Sequence, residues 1–169
     1  NNVEVGVQHG DFGVGLTRSM VEGYVMKDGK PIYNSAYTYS DQTIADVATN
    51  RDPRLTIFLK VPGQKNVFKN MSASEDHYVI DEPYPTITTR NAENDYSTGY
   101  AIRKGGTFDK ANTGNGNCYN AAEIFRATEA LLNYMEAEYM LTNSLSGKVL
   151  EYWKDVRKAA GFTGDAVNP

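Results

Sequence analysis

The sequence has 169 residues, with 17 Lys+Arg against 21 Asp+Glu and a formal net charge of −4. That length fits one domain able to bury about 70% of its unfolded surface, and no stretch approaches the ~20 continuous apolar residues of a bilayer-spanning helix. Mild acidity without basic runs argues against nucleic acid or anionic lipid as the main partner, and the single cysteine, Cys118, excludes an internal disulfide framework.

The first residue is Asn1, no basic start with an apolar centre follows it, and the last residues form a loop-like tail ending in Pro169. The chain is therefore expected to be a piece of a longer one. Its texture changes near Asn117, from Gly-, Pro-, Asn- and Tyr-rich sequence to long Pro-free helical spacing. Residues 1–116 are read as a loop-rich segment with short helices and strands, and 117–161 as a helical hairpin of the same single fragment.

In chain order, Thr17 is placed to cap a short helix running to about Met26, with Met20, Val21, Tyr24 and Val25 on its apolar face and Lys27 to Pro31 as its stop. Ser40 is expected to cap a second short helix that turns Ile44, Val47 and Ala48 inward. It must end before Pro53, since a residue preceding proline is pushed out of the α region. Residues 55–61, Leu-Thr-Ile-Phe-Leu-Lys-Val, are apolar and partly β-branched and are closed by Pro62-Gly63, which predicts a strand. From Gln64 to Gly116 only scraps of strand character appear, at 78–80, 86–89 and 100–102. A connection so long without regular structure is unusual in a compact domain; it is expected to lie over helices of the remaining chain.

The last part is strongly periodic. Ala121, Ile124, Phe125, Thr128, Leu131, Leu132, Met135 and Tyr139 follow the i, i+3, i+4, i+7 spacing of a helix with one buried stripe, capped by Asn117 or Asn120. Residues 143–146 make a short connection. Val149, Leu150, Trp153, Val156 and Ala160 mark the apolar face of a second helix, whose last turns carry Lys154, Arg157 and Lys158 and whose C′ residue is Gly161. Two such helices form an antiparallel hairpin, the unit of tetratricopeptide-type stacks, which need about three units for stability. The expected class is mainly α: a tetratricopeptide-like hairpin of an α-α superhelix under a long irregular layer with a few short strands. An isolated hairpin of this kind is expected to be marginal or aggregation-prone.

Within this frame, Arg126, Glu129, Leu131, Leu132, Asn133, Tyr134, Glu136 and Ala137 follow a pattern that resembles the hallmark helix of the SusD/RagB family. Residues 156–161, Val-Arg-Lys-Ala-Ala-Gly, look like that family's Arg-x-Arg-Ala-Gly close, with Ala159 in place of the second Arg and Trp153 where Asn is common. Residues 50–55, Asn-Arg-Asp-Pro-Arg-Leu, resemble its Arg-Asp-Pro-Arg element, 97–104 its Thr-Gly-Tyr segment, and 21–29 the helix and turn before them. Gly105-Gly106 and the Asn-rich stretch 111–117 interrupt the approach to the hallmark helix. The resemblance implies a non-enzymatic, glycan-binding lipoprotein on the outer face of the Gram-negative outer membrane. It would be lipid-anchored through its N-terminal part and would act as lid to a SusC-like TonB-dependent transporter. No cofactor is implied.

The residues suit that chemistry. Of twelve tyrosines, Tyr33, Tyr37 and Tyr39 alternate beside Asn34, Ser35 and Thr38, a spacing that in an extended loop puts the rings on one side. A sugar offers an apolar C–H face with a hydroxyl rim, which an aromatic platform with neighbouring amide and phenol groups matches. Tyr33, Tyr37, Tyr39 and Asn34 are the candidate ligand contacts. The alternative is that these rings, like Tyr78, Tyr84, Tyr96 and Tyr100, only pack under an irregular loop. Arg126 with Glu129, and Arg51, Asp52 and Arg54 among themselves, are expected to form structural ion pairs. His9 and His77 lack a ligand cluster for metal, Cys118 lacks a base, and Gly13-Val-Gly15 is a bare G-x-G. Glu75-Asp76 and Asp81-Glu82 supply carboxylates, yet nothing fixes them as a glycosidase pair. The readings are glycan capture, a tetratricopeptide-like interaction scaffold without a glycan site, and, least supported, a carbohydrate-active enzyme.

Overall fold

In the computed structural model, which describes residues 15–65, 67, 77–78, 98–106, 109–112, 117 and 123–169, the first element starts at Thr17. Its side chain accepts the Met20 N–H, satisfying one of the orphan donors of helix α1, Arg18–Gly23. The helix is shorter than expected. After Tyr24 the backbone becomes extended, because Met26 bridges to Arg51, Lys27 N–H donates to Asn50 O at 2.7 Å, and Asp52 N–H donates to Val25 O at 2.9 Å. Val21 is buried, whereas Met20 faces outward.

Helix α2, Ile44–Ala48, is capped by Thr43, whose hydroxyl accepts from Asp46 N–H; Ser40, the expected cap, instead accepts from Gln42 N–H in a turn of its own. Ile44 and Val47 are buried as expected.

The strand expected at 55–61 is a correction. Leu55–Phe58 is a one-turn helix, α3, and only the chain beyond it is extended. Asp52 decides this: its Oδ1 accepts the Arg54 N–H and its carbonyl accepts the Leu55 N–H, which starts a helical turn just after Pro53. Leu55 and Leu59, four residues apart, then bury the same face. Strand-like pairing follows at once, with Leu59 bridged to Ile102, Lys60 N–H donating to Ala101 O and Arg103 N–H to Phe58 O. The strand scrap at 100–102 is thus one half of that pairing. Strands β1, Gln64–Lys65, and β2, His77–Tyr78, pair antiparallel. Residues 79–80 and 86–89 lie outside the described residues.

Leu16, Val21, Ile44, Val47, Leu55, Leu59 and Tyr100 form the main core, with Tyr24, Phe58, Val61 and Ile102 packed on it. After a 3-10 turn at Lys110–Asn112 come the two long helices, α4, Ala127–Thr142, and α5, Gly147–Ala159, which pack on each other as the expected hairpin. Asn143 takes the left-handed conformation that ends α4. Gly161 does the same after α5, with φ of +95°, and a Cβ there would press on the Pro53 ring. A 3-10 turn at Gly164–Val167 closes the chain, and Ala160, Phe162 and Val167 make a second core cluster with Val25 and Ala166.

Helix α4 departs from expectation at its start and on its buried stripe. It begins after Arg126, so Asn117 does not cap it, and Asn120 and Ala121 lie outside the described residues. Ile124 (98% exposed) and Phe125 precede the helix in solvent. Met135 is buried and Leu131 half-buried, while Thr128, Leu132 and Tyr139 are exposed. Helix α5 packs on the line of Leu131 and Met135, while Leu132, Tyr139, Met140 and Leu141 stay exposed among the described residues. The fold is mainly helical, and no described helix is long and apolar enough to cross a membrane.

Candidate functional site

The tyrosine-bearing segment is built on one carboxylate. Met26 N–H donates to Lys30 O and Gly29 N–H to Met26 O, closing a tight turn in which Gly29 has φ of +82°. Asp28, inside that turn, accepts from its own side of it, at Lys30 N–H (3.1 Å), and from across the loop, at the Ser35 hydroxyl (2.8 Å) and Ala36 N–H (3.0 Å). The Ser35 hydroxyl in turn accepts from Tyr37 N–H at 3.0 Å. Desolvation pushes the Asp28 carboxyl up, but the hydrogen bonds from Ala36, Ser35 and Lys30, helped by the Lys30 charge, outweigh it and hold the pKa below its ordinary value.

On this frame the tyrosines take three situations. Tyr33, 88% exposed, stands at a turn closed by Asn34 N–H donating to Pro31 O, and Asn34 is exposed beside it. Tyr37 is exposed after a bend. Tyr39 is half-buried, with the Arg51 guanidinium 5.0 Å from its ring centroid and its hydroxyl without a hydrogen-bond partner among the described residues. Burial is the main cause that raises the Tyr39 pKa, against the pull of Arg51. The evenly extended loop expected from the alternation is therefore replaced by a turn and a bend, because Asp28 and Pro31 gather the chain. Tyr100 is a core residue; the side chains of Tyr78, Tyr84 and Tyr96 lie outside the described residues, as do His9, Gly13, Glu75, Asp76, Asp81, Glu82 and Cys118.

Beneath the loop lies a knot of three arginines, Arg51, Arg54 and Arg157. Arg51, 5% exposed, donates to Val21 O (2.6 Å), Tyr24 O (2.7 Å) and Val47 O (3.3 Å), and so caps the C-terminal carbonyls of α1 and α2 together. Asp52 and Arg54 do pair locally, as expected: Arg54 Nη2 and Nε donate to the buried carboxylate at 2.6 to 3.2 Å. Arg157, 7% exposed, donates from Nη2 to Gly29 O (3.0 Å) and Ala166 O (2.7 Å), and stacks 4.1 Å from the Phe162 ring centroid. It ties the base of the tyrosine loop to the end of α5. Sequence reading assigned it to the helix dipole; its long-range partners leave no local signal. The Arg126 pairing is corrected: Arg126 Nε meets Glu123 at 3.3 Å on an exposed surface, because Arg126 precedes the helix and does not share a helical face with Glu129.

The motifs at 21–29, 50–55 and 156–161 therefore converge on one junction that fixes the backbone and leaves the tyrosine loop facing outward. The sequence model of the SusD family matches residues 4–168. No curated protein and no solved structure matches the chain.

Proposed function

Taking as premise that the chain belongs to the SusD family, we propose that it captures oligosaccharide at the bacterial cell surface without breaking a bond and passes it to a SusC-like TonB-dependent transporter. The chain would be held at the outer membrane by a lipid anchor. Tyr33, Asn34, Tyr37 and Tyr39 are the proposed ligand contacts, the first three by direct stacking and hydrogen bonding, Tyr39 by holding the loop base over Arg51.

The observation that carries this reading is the outward placement of Tyr33, Asn34 and Tyr37 on a loop that Asp28 braces. An aromatic ring left in water on a braced loop gains by covering itself with an apolar face, and the C–H face of a pyranose is one that keeps its hydroxyls wet. Ordering the loop in advance lowers the entropic cost of binding. Calorimetric titration of the full chain with a panel of neutral oligosaccharides tests it. Tyr33→Ala and Tyr37→Ala are each expected to weaken binding about tenfold, in line with loss of one stacking contact; unchanged affinity in both removes the loop from the site.

A second reading, a tetratricopeptide-like scaffold without a glycan site, is favoured by one observation, the exposed apolar side chains Leu132, Tyr139, Met140 and Leu141 on α4. A glycan panel without any binder, together with protein capture that Leu132→Glu abolishes, would replace the first reading with this one.

A further inference from the structure

A pocket of about 260 Å³ opens between α1, the Asp52–Arg54 turn and α5, lined by Met20, Gly23, Tyr24, Val25, Arg54 and Arg157, with Asp52 at its floor. It is separate from the exposed tyrosines, though Arg157 joins the two through Gly29. Its volume is below that of a drug-sized site and suits a single sugar ring. Met20 and the Tyr24 ring give it an apolar wall.

Its charges do not cancel. Asp52 is the only carboxylate in the lining, and both of its oxygens accept from Arg54, Oδ1 from Nε and Oδ2 from Nη2. That leaves Arg157 as a cation whose hydrogen bonds go to carbonyls and whose Nε has no partner among the described residues. A buried guanidinium that meets two rings and two carbonyls but no anion is short of one charge-assisted contact. The charges that reach it are Asp52, which favours its protonated form, and Arg54, which opposes it, after the larger effect of burial.

We infer that this pocket takes a uronic acid residue, with the sugar ring against Tyr24 and Met20 and the carboxylate on the side of Arg157 and Arg54. The inference narrows the glycan-capture reading to acidic glycans and rests on that reading for its sugar. A carboxylate supplies an anion beside two guanidinium groups that share one carboxylate in the lining. The neutral hexose, lacking it, leaves the cation as it was.

Gly23 makes the test selective. It closes α1 with an ordinary helical backbone, and a Cβ added there meets nothing within 4 Å, so a larger side chain enters open space beside the pocket without displacing the core. Titrating the full chain with glucuronate, glucose and a neutral oligosaccharide, we expect glucuronate to bind at least about tenfold tighter than glucose and to weaken at high salt. Gly23→Leu should abolish glucuronate binding with the melting temperature unchanged or raised, and leave the neutral oligosaccharide untouched. Met20→Glu, which takes away part of the apolar wall and adds a like charge at the rim, should weaken glucuronate more than it weakens glucose. Glucose binding as tightly as glucuronate, glucuronate binding that survives Gly23→Leu, or no saturable glucuronate binding overturns the inference. Loss of oligosaccharide binding in Tyr33→Ala alongside any of these results leaves the tyrosine loop standing, so the two claims fail separately.

Discussion

Arg51 shows how much one side chain decides. It reaches C-terminal carbonyls of two short helices at once and lies under Tyr39 while doing so. Helices of six and five residues are too short to hold by propensity alone, so a shared cap stands in for length. Arg51→Met keeps most of the apolar stem but strands buried carbonyls; it is expected to cost on the order of 3 kcal/mol and to lower the thermal midpoint, measured by circular dichroism. Lys should rescue it only partly, since an ammonium lacks the fork that reaches Val47 through Nη1 and Val21 and Tyr24 through Nη2. The Asp52 to Arg54 pair was legible from its neighbours in sequence. The roles of Arg51 and Arg157 were not, because their acceptors are carbonyls 30 and 128 positions away, which carry no residue-type signature.

At the scale of elements, the loop between Gly29 and Ser40 is ordered by Asp28 in place of a strand or helix. Because its folded pKa is lower than its ordinary value of 3.8, its contribution is present above that value and is lost as the pH falls through the folded one. Loosening of the loop below about pH 4 is the expected result, read as faster amide exchange at Ala36 and Tyr37 while α1 and α2 remain protected. Asp28→Asn should show the looser loop already at neutral pH and remove the acid step. Helix α3 makes a related point. Residues 55–61 have strand composition, yet an Asx turn at Asp52 and the proline after it bend the chain first, and the apolar residues then bury at i and i+4. Local hydrogen bonding won over β propensity, which is a statement about packing more than backbone.

For the whole molecule, the segments before and after the hairpin are tied together by Arg157 and by the cluster of Ala160, Phe162 and Val167 against Val25, whereas α4 packs chiefly on α5 among the described elements. Among the described residues nothing covers Leu132, Tyr139, Met140 and Leu141, and exposed apolar surface of that kind seeks a cover. The 169-residue chain is expected to self-associate as concentration rises, seen as mass growth in light scattering. Leu141→Glu with Met140→Lys, at two strongly exposed positions, should suppress it without lowering the melting midpoint. A monodisperse monomer for the unsubstituted chain at all concentrations would contradict this.

Sequence periodicity was enough for the mainly helical class and for the pair of helices joined at 143–146, and local signals gave the Gly161 terminator, the Thr17 start and the buried pair of α2, since each depends on neighbours within a few residues. The same residues, read as motifs, carried the family. Tertiary structure alone decided where α1 and α4 end and begin, which tyrosines face water, and that three separated motifs meet at one arginine-pinned junction. Those outcomes depend on which distant carbonyls and side chains arrive opposite each other, and contacts of that range are chosen by the packing of the whole chain, which no local spacing records.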